Sequence, residues 1–222
     1  MEGMPPKYRV IVLKDGYSYQ DNTTGLYKAD CSITLVKGPH NVIVDPGNAW
    51  DKEFVLNALQ QHCLTPSDIN YLVATHGHGD HVGNLNLFTK ATHIIGTEIN
   101  KEDAYTFHHF KRGIPYEIDD NHLEVISTPG HTGIDVSLVV RGTDQGTVVI
   151  AGDLFERAED LDNPVLWQEG SENPRLQEQS RIDVLEIADY IVPGHGPMFK
   201  VPEDYKHGIQ VVMNPQSDDD AA

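Results

Sequence analysis

The chain is poor in cysteine, in basic residues and in long apolar runs. Its 222 residues include 2 cysteines, Cys31 and Cys63. Two are too few for a disulfide framework, and these are not spaced as a CxxC ligand pair, so they read as buried thiols in a reducing compartment. Lysine and arginine number 16 against 34 aspartates and glutamates, a formal net charge of -18. Charge of that sign repels polyanions at long range and argues against non-specific binding to nucleic acid or to an anionic membrane. A phosphate substrate would have to be held locally. No stretch approaches the ~20 apolar residues that cross a bilayer. The first residues, with Pro5 and Pro6, have neither the apolar segment nor the cleavage site of an export signal. The expectation is a cytoplasmic protein, with a nuclear location also open and no membrane partner.

With 39% hydrophobic and 23% charged residues the composition is that of an ordinary globular protein. One domain over 1–213 is expected, followed by an acidic disordered tail over 214–222 that contains Asp218, Asp219 and Asp220. Short β-branched runs recur, at 8–13, 32–36, 41–45, 71–74, 123–127, 136–140, 147–151 and 190–192, and read as strands. Turn segments at 37–40 and 142–146 suggest antiparallel hairpins. Lys52 to His62 reads as a helix with Phe54, Val55, Ala58 and Leu59 on one face and Asp51 as N-cap. Asn173-Pro174 reads as the start of another, with Leu176, Val184, Ile187 and Ala188 inward. A helical stretch is also expected over 83–88. Strand groups with helices between and after them favour a layered α/β architecture.

The decisive segment is Thr75-His76-Gly77-His78-Gly79-Asp80-His81, directly after an apolar strand. Imidazole and carboxylate are ligands for zinc and similar cations, and the two glycines would let the backbone fold tightly enough for the rings to converge. Asp80 and His81 are adjacent, so their side chains diverge, which suits two neighbouring metals better than one. Three further candidates, His131, Asp153 and His195, each follow a strand in a loop containing glycine. Strand-end loops are where a rigid scaffold presents reactive groups. His40, His62, His93, His122 and His207 have no such setting and read as packing or surface residues.

The motifs THGHGDH (75–81), TPGHT (128–132), AGD (151–153) and VPGHGP (192–197), in that order, resemble the metallo-β-lactamase superfamily, over a span from Val10 to Val201. The resemblance implies an αββα sandwich, two facing mixed β-sheets flanked by helices, with two divalent metal ions at one edge. It implies that His76, His78 and His131 hold one ion, that Asp80, His81 and His195 hold the other, and that Asp153 bridges both. Asp45, in VDPG (44–47), matches a position that supports the ligands from behind. Zinc is the first choice of metal, and a His and Asp set also accepts iron or manganese.

A water between two cations about 3.5–4 Å apart loses a proton near neutral pH and becomes a nucleophile. In that chemistry Asp153 spans the ions and Asp80 is the candidate to accept a proton. Longer runs, THGHGDHVGNLNLF (75–88), GTVVIAGDLFER (146–157) and VPGHGPMFKV (192–201), resemble most closely one branch of the superfamily. That branch implies an endoribonuclease acting in 3′-end processing of histone pre-mRNA, with RNA as the partner. A bridging aspartate disfavours β-lactam hydrolysis, and His78 stands where oxygen-reducing di-iron relatives usually carry glutamate. Asp153 and His195 lie only 42 positions apart, which leaves no room for the inserted domain of the large polyadenylation nucleases. The alternative substrate is a small thioester or ester, as for glyoxalase II. A non-catalytic metal-binding interaction module would be expected to show a broken ligand set, and this one is complete. The segment His108-His109-Phe110-Lys111-Arg112 could hold substrate phosphates, although a solvated loop also accounts for it. Arg157 could touch a substrate anion or form a surface salt bridge, Trp50 and Trp167 could line a substrate mouth or complete a core, and a homodimer is left open.

Overall fold

A computed structural model describes residues 6–110 and 113–206. Lys111, Arg112 and the acidic segment 214–222 lie outside the described residues, as does the expected domain end at 213. In chain order the first strands are β1 (Arg9–Lys14), β2 (Tyr17–Gln20), β3 (Tyr27–Asp30), β4 (Ile33–Lys37) and β5 (Val42–Val44). They are followed by β6 (Tyr71–Ala74), β7 (Thr92–Ile95), β8 (Glu98–Lys101) and β9 (Ala104–Thr106). The second group is β10 (Tyr116–Asp119), β11 (Leu123–Ser127), β12 (Val136–Thr143), β13 (Gly146–Gly152), β14 (Tyr190–Pro193) and β15 (Phe199–Lys200). The α-helices are α1 (Lys52–Gln61), α2 (Val165–Gln168), α3 (Pro174–Ile187) and α4 (Glu203–Lys206).

Seven strands form one sheet in the order β1-β4-β5-β6-β7-β8-β9, six form a second in the order β10 to β15, and β2 and β3 make a separate ribbon. Period-two alternation builds the layers. Val44, Val73 and Ile94 of the first sheet meet Leu138, Val140, Val148 and Val192 of the second in the central core. The intervening residues point outward: Ile43 and Leu72 pack with Val55 and Leu59 of α1, and Val139, Val149 and Ile191 pack with Val184 and Leu185 of α3. Both faces of each central strand are therefore covered, which is why they read as continuous apolar runs rather than alternating ones. The result is the αββα sandwich.

Strand direction decides where the functional loops lie. β5, β6 and β7 run parallel to one another, and so do β13 and β14. β11 shares the β13 direction because each is antiparallel to β12. The two sheets meet at the end where β6 finishes and β12 begins, through the Val136 N–H to the Thr75 carbonyl at 2.9 Å.

Several local expectations need correction. Over 83–88 the chain makes only a 3-10 turn, Leu85–Leu87, because Asn84 spends its side chain on the Pro46 and Asn48 carbonyls instead of starting a helix. Asp51 precedes α1 without capping it; its carboxylate accepts the Asn48 N–H and pairs with Lys14. Phe54 is 39% exposed rather than inward. The α3 face is rotated from the expected one: Leu176 and Ile187 are exposed, and Gln177, Ser180 and Arg181 join Val184 inside. Asn173 does cap this helix, accepting the Leu176 N–H at 3.1 Å.

Leu138 is fully buried between the sheets. Leu138→Ala is expected to lower the unfolding free energy by about 2–5 kcal/mol in a urea titration; a change below about 1 kcal/mol would mean that the two sheets do not share this core.

Candidate metal centre

The site is assembled from the ends of strands that share one direction. β6 ends at Ala74, and Thr75 turns the chain so that its N–H and hydroxyl both donate to Asp45, at 2.7 and 2.9 Å. Asp45 follows β5 with φ of 50°, a left-handed conformation uncommon for a residue with a side chain. Its three bonds hold it there: besides Thr75 it accepts from His81 Nδ1 at 2.9 Å. Asp45 therefore lies behind the Thr75 turn and the His81 ring. Thr75, whose hydroxyl proton is committed to Asp45, accepts from His76 Nδ1 at 3.1 Å. His195 Nδ1 in turn donates to the Asp30 carbonyl at 3.2 Å. Three rings thus have Nδ1 held from behind and Nε2 turned inward, the orientation a metal ligand needs.

The inward atoms converge. His78 Nδ1 lies 2.9 Å from His76 Nε2 and 3.1 Å from His131 Nε2. The Asp153 carboxylate sits among the rings, Oδ2 at 3.2 Å from His195 Nε2, 3.3 Å from His131 Nε2 and 3.6 Å from His76 Nε2, and Oδ1 at 3.2 Å from His81 Nε2. Asp80 Oδ2 is 3.7 Å from His81 Nε2 and 3.8 Å from His195 Nε2. All seven expected residues are therefore brought together, as two clusters: His76, His78, His131 and Asp153, and Asp80, His81 and His195. Asp153 reaches into both.

The donor set fits cations. Asp80 Oδ2, His81 Nε2 and Asp153 Oδ1 are buried without a hydrogen-bond partner, a costly state for polar atoms unless something else binds them. Tetrahedral coordination at zinc–nitrogen lengths puts neighbouring ligand atoms on the order of 3.3 Å apart, which is the spacing seen here. His78 is exposed and Asp80 half-buried, whereas the other five are buried, so the centre opens to solvent on the 78–80 side.

Gly77 and Gly79 have open space around them and no left-handed backbone, so the convergence of the rings does not require them. Gly194 is the constrained position: a Cβ there would stand 1.9 Å from Asp153 Oδ1.

Burial works against charge on the buried rings, His76, His81, His131 and His195, and the carboxylates decide which of them keep it. His76 lies well below its ordinary range through burial and the neighbouring His81 charge, and burial also lowers His131. His81, although buried, is held well above that range by Asp153 and Asp45. Asp153 likewise raises His195 to about 9 in spite of its burial. Asp153 itself is kept ionised, against burial, by His81, His195 and His76.

Other candidates have different fates. β9 finishes and β10 begins at the metal-bearing end, since β9 runs with β6 and β10 opposes β11, and His108, His109 and Phe110 lie on the loop that follows β9. His108 is used within that loop, hydrogen-bonding the Ile114 carbonyl at 2.9 Å and packing edge-on against Phe110 and Tyr116. His109 is exposed and joins neither cluster. Arg157 forms no salt bridge among the described residues: its Nη2 donates to the Ser18 carbonyl and hydroxyl, at 3.0 and 2.9 Å, tying β2 to the loop after Asp153. Trp167 is buried and Trp50 is 72% exposed. The supporting roles of Thr75, the Asp30 carbonyl and Gln177, whose amide donates to the Asp153 carbonyl at 3.0 Å, went unread. Only Thr75 left a sequence signal, its place between the strand and His76.

Comparison with known proteins agrees with this geometry. The family described as the metallo-beta-lactamase superfamily matches residues 27–195. "Metallo-beta-lactamase domain-containing protein 1" of Xenopus laevis is 47% identical over 202 residues, covering 90% of this chain and 84% of the relative. Its namesake from Homo sapiens is 40% identical, with 87% and 82% covered. Among solved structures, a dizinc quorum-quenching lactonase in complex with a product superposes with a TM-score of 0.57 at 18% identity, covering 77% of this chain and 74% of that one. The chain belongs to the metallo-β-lactamase superfamily, and it carries the divalent-metal-binding residues of a hydrolase.

With His195 at about 9 and His81 raised, both rings are protonated at pH 7 before a cation enters. A ligating imidazole must give up that proton, so cation uptake by Asp80, His81 and His195 is expected to strengthen as pH rises toward about 9 and to weaken below it. Calorimetric titration of the metal-free protein in buffers of different ionisation enthalpy should report proton release at pH 7. A buffer-independent heat would contradict the assignment.

Proposed function

We propose that this superfamily member is a two-metal hydrolase of RNA phosphodiester bonds, an endoribonuclease of the kind that processes histone pre-mRNA 3′ ends. The observation that carries the hydrolytic reading is the placement of Asp153, one carboxylate within 3.6 Å of inward nitrogens from both clusters. The RNA reading is supported by the resemblance carried in 75–88, 146–157 and 192–201.

When bound, two divalent cations supply Lewis acidity toward a phosphoryl oxygen and acidify a water held between them. The chain does the rest. Asp153 fixes the two clusters relative to each other. Asp45 and the Asp30 carbonyl hold the His81 and His195 rings in the tautomer that faces inward. Asp80 turns Oδ2 toward His81 and His195, which leaves Oδ1 to accept a proton as the nucleophile attacks. The open side at His78 and Asp80 admits substrate. A net charge of -18 gives RNA no general attraction, so affinity must come from the metals and local contacts, with Lys111 and Arg112 as the basic candidates in the sequence.

A second reading, hydrolysis of a small thioester or ester, is favoured by that same acidic surface and by the likeness to a lactonase. Parallel assays of the zinc-loaded protein with single-stranded RNA and with S-acyl glutathione separate the two. Turnover of RNA alone supports the proposal; turnover of the thioester alone replaces it. In either case Asp153→Ala should lower turnover by more than about 100-fold with the circular dichroism of the fold retained, and undiminished activity would refute its bridging role.

A further inference from the structure

The inward face of α3 carries three polar side chains where an amphipathic helix would put apolar ones: Gln177, Ser180 and Arg181 are 0%, 5% and 6% exposed. Burying such groups is unfavourable unless each finds partners. Arg181 finds them in Asp160, paired at 2.9 Å, and in the Phe155 and Trp167 rings on which it stacks. Ser180 donates to the Pro129 carbonyl at 2.8 Å. Gln177 has a different set: its amide donates to the carbonyls of Asp153 and Leu154, at 3.0 and 3.3 Å, and its Oε1 has no partner among the described residues.

The loop bearing His131 rests on the same residue from the other side. A Cβ at Gly130, where φ is 145°, would stand 2.2 Å from both the Cα and the N of Gln177, so only glycine allows this approach. The chain entering α3 adds three bonds: Asn173 N–H to the Gly130 carbonyl at 2.9 Å, Glu172 N–H to the His131 carbonyl at 3.1 Å, and Ser171 Oγ to the Gly130 carbonyl at 2.9 Å. Backbone contact with Gly130 and side-chain contact with Asp153 thus meet in one residue. The Asp153–His195 spacing is set elsewhere, by Gly194 N–H to the Gly152 carbonyl and His195 N–H to the Glu156 carbonyl, both at 2.9 Å.

We propose that Gln177 is a positioning residue that fixes the spacing of His131 from Asp153, and so tunes the cation held by His76, His78, His131 and Asp153 while leaving the one held by Asp80, His81 and His195 nearly untouched. The inference rests on the two-metal reading. Displacing the Asp153 loop against the Gly130 loop changes the first cluster directly, because its ligands come from both loops. The second cluster keeps its own backbone ties.

The test is a Co²⁺ titration of the metal-free full-length protein, followed by visible absorption with a competing chelator, for wild type, Gln177→Leu, Ser180→Ala and Val184→Ala. Val184 is buried on the same helix and serves as the purely structural control. Wild type should take up two ions. Gln177→Leu should weaken one of the two by about 10–100-fold and leave the other within about threefold, and the spectrum it loses should match the one lost in His131→Ala rather than in His195→Ala. Ser180→Ala should shift the same ion by less, and it carries the test should Gln177→Leu fail to fold. Val184→Ala should lower the melting temperature of the metal-free protein with both affinities kept. Unchanged affinities in Gln177→Leu, or equal loss of both ions in step with a melting shift like that of Val184→Ala, would overturn the proposal. Uptake of fewer than two ions by wild type would instead overturn the two-metal reading and the inference with it.

Discussion

The carboxylate of Asp153, ionised and 4% exposed among four imidazoles, is the constraint on which the rest of this structure depends. A buried charge is tolerable only with partners on every side, and here those partners come from loops that are far apart in the chain. Bringing His76, His81, His131 and His195 around one carboxylate requires the ends of β6, β11, β13 and β14 to lie at the same end of the sandwich. The parallel pairings of β5 with β6 and of β13 with β14 make that possible. The antiparallel connections β11–β12 and β14–β15 contribute His131 and His195, and the other hairpins complete the sheets without adding ligands.

The scaffold behind the site works mostly through backbone carbonyls and a few buried polar side chains. Asp45 accepts an accumulation of hydrogen bonds in a left-handed conformation and thereby sets both the Thr75 turn and the His81 ring. Gly194 lets the His195 loop pass against the Asp153 carboxylate where no side chain would fit. Buried polar side chains concentrate at this one end, as expected where a site rather than a core dictates the residues.

The central strands were legible because they are buried on both faces: 71–74 and 123–127 coincide with β6 and β11, and α1 and the Asn173 cap showed in periodicity and capping residues. The ribbon β2–β3 and the strands β7 to β10 were not, since they are short, carry many exposed polar residues and are paired by tertiary contact rather than by their own pattern. All seven residues of the metal centre were named from motif chemistry and resemblance, and the structure brings them together. Apart from Asp45, the layer behind them was not legible in the sequence. A threonine hydroxyl, a carbonyl and a helix glutamine leave no periodic or compositional mark, and an inward polar face on α3 runs against the amphipathic rule that would find it.

The account stands or falls on two cations sharing Asp153. Anomalous X-ray diffraction from crystals of the zinc-loaded protein tests this most directly. The structure predicts two peaks, one among His76, His78 and His131 and one among Asp80, His81 and His195, with the Asp153 carboxylate between them. A single peak, or zinc bound away from these side chains, would contradict it.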